Sequence, residues 1–123
     1  MKTVFAFALA ALMGLGSPSL AADNASMIGN YVVTGTETDG KPYDGSGALA
    51  ITMDKSGALE LKWDGGKYVG LGQVSGDKLF VGGVVDGRSF IAVMDIKPDG
   101  SVEGRWWRRT DPGTKGTETW KKK

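Results

Sequence analysis

The chain has 123 residues with 15 basic and 14 acidic side chains, a formal net charge of +1, and neither Cys nor His. Without His it lacks the usual neutral-pH base and the commonest metal ligand, so Ser-His-Asp, Cys-His and His-based zinc chemistry are excluded. The balanced charge gives no case for nucleic acid or an anionic membrane as main partner. We therefore expect no enzyme, no cofactor and no metal site.

Residues 1–22 have the form of a signal peptide. Lys2 precedes an apolar run at residues 4–15, and small residues follow up to Ala21 and Ala22, where cleavage is expected. The run is about a dozen residues, whereas a membrane-spanning helix needs roughly 20, and no second stretch is long enough. Removal of the leader leaves 101 residues with equal numbers of acidic and basic side chains. We expect a periplasmic or secreted protein with no membrane span.

Behind the leader we expect a flexible N-terminus at residues 23–27, one domain at 28–121 and a tail at 122–123. Asp-Gly pairs recur between short apolar runs and supply the positive φ that tight hairpin turns need. No sustained helical period occurs in this part, so no helix is expected. The predicted strands are Ile28–Thr38, Tyr43–Met53, Ala58–Trp63, Lys67–Val74, Lys78–Val85, Arg88–Ile96, Val102–Arg109 and Thr114–Lys121.

Apolar and polar residues alternate along these strands, with Leu49 and Ile51 on one parity and Thr52 on the other. The fold class is all-β, and eight short strands have two compact arrangements: a small antiparallel up-and-down β-barrel or a two-sheet β-sandwich. Nearest-neighbour hairpins favour the barrel, which leaves no sheet edge exposed. An eight-stranded barrel is filled by side chains or holds one small ligand. With strands this short, we expect a mostly filled interior with a shallow mouth.

Two pairs of glycines lie in the middle of the chain inside predicted strands, where glycine weakens pairing. Bulges or sharp coiling at barrel corners are the simplest explanation, and close approach of the backbone to a ligand is the alternative. These positions are Gly70, Gly72, Gly82 and Gly83.

The segment richest in side chains suited to binding is residues 105–109, which read RWWRR. If Trp106 points into the barrel, Arg108 lies at the mouth and Trp107 lies outside between two arginines, where guanidinium–aromatic stacking is natural. The opposite parity would bury an unpaired Arg105, which is costly. We predict a binding surface for a small molecule or a protein partner formed by Trp107, Arg105, Arg108, Arg109, Trp63 and Tyr43.

Two other roles stay open. The segment Phe90–Met94 is apolar on both parities, so it is covered on both sides or forms a homo-oligomer contact in a structural, self-assembling module. An enzyme acting through carboxylates alone would need two acids on one concave face, one of them with a pKa raised by burial. The aspartates of the Asp-Gly turns lack the alternating ligands of a calcium loop, so we assign them to turn formation.

The segment Tyr31–Gly45 reads YVVTGTETDGKPYDG, and Lys97–Trp106 reads KPDGSVEGRW. Together with Gly116–Thr119 they resemble a group of small exported bacterial proteins of unknown function, some labelled fibronectin-binding. Many of these carry a Cys pair that is absent here. A broader resemblance is to calycin-type barrels such as lipocalins and avidins, because Gly29-x-Tyr31 is similar to their opening Gly-x-Trp. Their Arg near the last strand is missing unless Lys121 replaces it. Both resemblances imply a barrel, and the second implies ligand binding.

Overall fold

The computed structural model describes residues 22–111, 113 and 115–123, so the predicted leader lies outside the described residues except for Ala22. Each strand pairs antiparallel with the next, and the last pairs with the first, which closes a barrel. The predicted up-and-down barrel is therefore confirmed, and the sandwich alternative is excluded. The strands are β1 (Gly29–Thr36), β2 (Gly47–Met53), β3 (Leu59–Trp63), β4 (Tyr68–Ser75), β5 (Lys78–Val85), β6 (Arg88–Ile96), β7 (Val102–Arg108) and β8 (Gly116–Lys122).

The largest difference from the predicted strands is at β2, which begins at Gly47 and not at Tyr43. The Tyr43 backbone N–H donates to the Gly35 carbonyl at 2.9 Å, so Tyr43 belongs to a loop folded against the end of β1. Helical structure in the described residues is limited to single 3-10 turns at Ala25–Met27 and Asp64–Gly66. Neither these nor any other described residues form a helix long and apolar enough to cross a membrane.

Alternation places the core inside the barrel as predicted, with Leu49, Leu61 and Val102 at 1% exposure or less. On β6 the even-numbered residues from Phe90 to Met94 face the core, whereas Ile91 is 57% exposed on the outer wall. Of the two alternatives for this strand, burial of both faces within the chain is therefore not found in the described residues. Other exposed apolar side chains on the neighbouring outer wall are Val69, Leu71, Phe80 and Val84.

The N-terminal 3-10 turn closes one end of the barrel. The side-chain oxygen of Asn24 accepts from the Val74 N–H at 2.9 Å, and its amide donates to the Gly57 carbonyl at 2.8 Å. Met27 is buried, and the Tyr31 hydroxyl donates to its carbonyl at 2.8 Å. Residues 23–27 thus make specific contacts with the barrel, and the flexibility expected of them stays a prediction.

Pairing of β5 with its two neighbours runs without a bulge, so the expected bulges at the strand glycines are not found. Two of the inward-facing glycines, Gly70 and Gly83, instead make room for aromatic rings. A Cβ added at Gly83 would lie 2.6 Å from the Phe90 ring and 2.7 Å from the Val69 carbonyl oxygen. A Cβ at Gly70 would lie 3.3 Å from the ring of Trp63. On the inner face of β4 and β5 these rings therefore pack directly against the backbone.

This packing predicts that alanine lowers stability at one of two adjacent glycines and not at the other. Gly83→Ala should lower the free energy of unfolding by about 1–3 kcal/mol, because the Phe90 ring and the β4 backbone must both shift. Gly82→Ala is the matched control, since its nearest contact would be the Phe90 carbonyl oxygen at 4.0 Å. Alanine there should be neutral or slightly stabilising. Chemical denaturation of both variants measures the difference, and equal losses would contradict the steric explanation.

Candidate functional site

The interior is hollow at the end of the barrel opposite the N-terminal turn. A cavity of about 300 Å³ opens there, at the end that carries the β1–β2, β3–β4, β5–β6 and β7–β8 connections. The expected filled interior is found at the end closed by the N-terminal turn, whereas this end holds a cavity whose volume lies at the lower end of the range typical of small-molecule sites. The aromatic side chains that line it are Tyr43, Trp63, Tyr68, Phe90, Trp106 and Trp120.

A carboxylate, Glu118, lies within this aromatic lining. It is on β8, facing inward at the position that pairs with Gly35 of β1. Its Oε1 accepts hydrogen bonds from Nε1 of Trp120 at 2.7 Å and of Trp63 at 3.3 Å. Its Oε2 accepts from the Tyr43 hydroxyl at 2.8 Å. Three neutral donors from β8, β3 and the β1–β2 loop therefore converge on one carboxyl group.

Burial dominates the electrostatics of Glu118 and raises its pKa. The hydrogen bonds from Trp120, Tyr43 and Trp63 oppose this rise, and the charge of nearby Asp64 adds to it. No ion pair among the described residues involves Glu118. Burial and the Glu118 charge also raise the pKa of Tyr43, so the phenol stays protonated and donates at neutral pH. The cavity thus contains an acid with hydrogen-bond partners but no countercharge.

Two glycines leave space for aromatic side chains that line the cavity. A Cβ at Gly35 would collide with the Thr117 carbonyl oxygen of β8 and lie 3.0 Å from the Tyr43 ring, so only glycine fits between β8 and this ring. Gly116 pairs with Trp106 across β7 and β8, and the Trp106 indole occupies the space that a Cβ would need. The indole Nε1 of Trp106 donates to the Thr36 carbonyl at 3.2 Å. The sheet is therefore shaped around its aromatic lining.

Asp111 ties together three segments at the mouth. It accepts from Thr38 Oγ1 at 2.7 Å, from Arg88 Nη1 at 2.8 Å and from Arg108 Nε at 3.1 Å. These partners, led by Thr38, lower the pKa of the Asp111 carboxyl. Arg108 also lies 3.6 Å from an oxygen of Asp86 and stacks over the Trp106 ring. The positive charge of Arg108 is therefore already compensated by two carboxylates.

The remaining charged groups of the lining are acidic. Among the described residues that line the cavity, one side chain, Arg108, is basic and five are acidic. Four of these are exposed at the rim, and no group of three or more acids in the described residues is placed to hold a metal ion. The acidic side chains are Glu37, Asp44, Asp64, Asp86 and Glu118.

The structure divides the predicted binding residues between two surfaces. Trp63, Tyr43 and Arg108 line the cavity, whereas Arg105 and Trp107 lie on the outer wall in a shallow depression. The inward direction of Trp106 and the outward direction of Trp107 follow the prediction.

Stacking of Trp107 on its neighbouring arginines is a wrong prediction. The cation within stacking distance of Trp107 in the described residues is Lys115, 5.4 Å from the ring centre. Arg109 lies beyond the end of β7, with its backbone N–H bonded to the Ser89 carbonyl at 2.7 Å.

Sequence reasoning did not identify Glu118, although a signal was present. Glu118 and Trp120 are two residues apart on one strand, so both must face the same way. A buried tryptophan on β8 therefore implies an inward glutamate. The donors from Trp63 and Tyr43 are 55 and 75 residues away in sequence, and alternation along single strands gives no information on such contacts.

Comparisons with known proteins identify the fold but no family. No protein-family model matches the chain, and no curated protein matches it either. A solved structure, the crystal structure of wild-type fluorescent protein UnaG, aligns with a TM-score of 0.50 at 12% identity. The alignment covers 78% of this chain and 96% of that chain. The barrel is thus the supported part of the resemblances described above, and the exported bacterial group and the avidin-like proteins gain no support.

The buried carboxyl predicts a pH-dependent difference between wild type and Glu118→Gln. Because the pKa is raised in the barrel, the folded protein keeps a proton that the unfolded chain loses, and wild-type stability falls as pH rises through this window. The free energy of unfolding of the variant minus that of wild type should therefore increase with pH and then level off. Urea denaturation from pH 4 to 8 measures it, with the outward-facing Glu60→Gln as control. A difference that falls with pH would contradict the assignment.

Proposed function

We propose that this protein is an exported, non-enzymatic β-barrel that binds a small molecule in the cavity at its open end. The observation that carries the proposal is the cavity of about 300 Å³ with Glu118 held inside its aromatic lining. An aromatic lining with a few fixed polar groups is typical of small-molecule sites. The barrel class is compatible with it, because an eight-stranded barrel is wide enough to hold one small ligand where side chains do not fill it. Export rests on the leader pattern of residues 1–22.

The non-enzymatic part of the proposal rests on the chemistry of the lining. His and Cys are absent from the chain, which leaves carboxylates, tyrosines and lysines as acids or bases. Glu118 is engaged by three donors, and Asp64 Oδ1 accepts from the Ala48 N–H at 3.1 Å. Two carboxylates acting on a glycan would need one free to deliver a proton and the other free to attack or activate water. The hydrogen bonds of this pair favour a role in holding a ligand.

Native mass spectrometry of the protein purified gently from its own host tests the proposal. We expect an added mass that survives mild conditions and leaves on collisional activation. The same experiment on protein refolded from denaturant should show the bare chain. A bare chain in both preparations, together with no uptake of added small molecules, would contradict the proposal.

Substitutions at two neighbouring residues test whether the ligand binds inside the cavity. Val85 lines the cavity, whereas Val84 points outward and is 57% exposed. Val85→Trp should fill part of the mouth and lower ligand affinity by about tenfold or more, because the added ring competes for the same volume. Val84→Trp adds the same ring to the outer wall and should leave affinity unchanged. Isothermal titration with a ligand recovered from the host measures both, and equal affinities would place the ligand elsewhere.

A second candidate function, a self-assembling module, is favoured by the apolar outer wall. Leu71 of β4, Gly82 of β5 and Ile91 of β6 are successive cross-strand neighbours, and Trp107 follows on β7. Leu71 and Ile91 are both more than half exposed. Contiguous exposed apolar residues of this kind mark interaction surfaces in many proteins.

This candidate predicts the effect of a charge at the centre of the outer wall. Ile91→Glu should convert an oligomer to a monomer, since a carboxylate would be buried without a partner. Val32→Glu is the control, because Val32 is also exposed on the outer wall but lies on β1. Size-exclusion chromatography with light scattering gives the masses. A wild-type monomer at high micromolar concentration would eliminate the self-assembly candidate.

A further inference from the structure

The charges around the cavity are unbalanced toward the negative. Four acidic side chains surround the rim, and a fifth, Glu118, lies inside. Arg108 is paired with Asp111, which also binds Arg88, and with Asp86, which is one of the four rim acids. Three rim carboxylates and Glu118 therefore have no basic partner among the described lining residues. Field lines from a rim of one sign are focused by the low-dielectric barrel wall, which concentrates counter-ions at the mouth. The potential at the entrance therefore favours a cation.

The aromatic lining favours the same charge. The indole N–H groups of Trp63 and Trp120 and the hydroxyl of Tyr43 all donate to Glu118, and Trp106 donates to a backbone carbonyl. With these polar groups engaged, the rings offer mainly their faces and edges to a ligand. Aromatic faces attract ammonium groups, and Arg108 over Trp106 is an example inside this mouth.

The alternatives to a cation fit less well. An anion would have to compete with Asp111 and Asp86 for Arg108 and would approach Glu118, a like charge in a low-dielectric cavity. A neutral apolar ligand would displace water around Glu118 without replacing its solvation. Glu118 accepts one hydrogen bond at Oε2 and two at Oε1, and an ionised carboxylate has about four acceptor sites. Any ammonium group supplies the missing charge, and a protonated amine supplies a further donor as well.

We infer that the ligand is a small organic cation, an alkyl- or arylalkylammonium, whose charged group lies against Glu118 and the surrounding aromatic rings. The inference rests on the proposed ligand-binding function and specifies its chemical class. Glu118 is the specificity-determining residue in this arrangement. Tyr43, Trp63 and Trp120 position its carboxylate, and the rim carboxylates attract the cation to the mouth.

Three probes of similar size and different charge test the inference on the wild-type protein. They are benzyltrimethylammonium, its neutral isostere neopentylbenzene and the anion benzenesulfonate. Quenching of the intrinsic tryptophan fluorescence reports binding, because Trp63, Trp106 and Trp120 line the cavity. We expect the cation to bind about tenfold or more tightly than the neutral probe, and the anion to bind weakest.

Variants separate this inference from the proposed function. Glu118→Gln keeps the size of the side chain and should lower affinity for the cation about tenfold, while affinity for the neutral probe stays within about threefold. Glu60→Gln on the outer face of β3 should change neither. Val85→Trp should weaken every probe, because it reduces the cavity itself.

The possible results have distinct meanings. A cation preference that Glu118→Gln removes supports the inference. If the neutral or anionic probe binds at least as tightly as the cation and Val85→Trp blocks it, the cation inference is wrong and the ligand-binding function stands. If the cation does not bind, the inference is also overturned. If, in addition, no other probe binds and the host-purified protein is the bare chain, the proposed function fails as well.

Discussion

Pairing between β1 and β8 is the contact on which the site depends. It closes the barrel, and its register sets Gly35 opposite Glu118 and Val33 opposite Trp120. Because Gly35 has no side chain, the Tyr43 ring can lie against β1 and reach the carboxyl group of Glu118. A shift of one residue in this register would turn Glu118 to solvent and break all three of its hydrogen bonds. Closure of the sheet and assembly of the site therefore depend on the same strand register.

The barrel has a filled end and a hollow end, and different residues produce each. At the filled end the N-terminal turn inserts Met27, and Asn24 bonds backbone groups of β4 and of the β2–β3 connection. At the hollow end the side chains are aromatic rings packed edge-to-face, with Trp63 6.0 Å from Phe90 and 6.2 Å from Trp120 between ring centres. Rings in this geometry fix one another but leave space between their faces. This packing supports the cavity without filling it.

Local sequence patterns were sufficient for the fold but not for the site. Alternation within strands and glycine turns between them predict eight antiparallel strands, since both signals act over a few residues. They also place Trp106 inside and Trp107 outside. The meeting of Tyr43, Trp63 and Glu118 depends on contacts between segments far apart in sequence, so no local pattern reports it. The cavity depends on how large rings pack across the barrel, which strand length alone does not determine.

The central claim is that Glu118 is a buried acid whose charge has no partner until a cation enters. Titration of its side-chain carboxyl carbon by NMR, in the empty barrel and with benzyltrimethylammonium present, tests this most directly. Burial should give a titration midpoint above that of an ordinary glutamic acid in the empty barrel, and the cation should lower it. An ordinary midpoint in the empty barrel, or a midpoint that the cation leaves unchanged, would contradict the account.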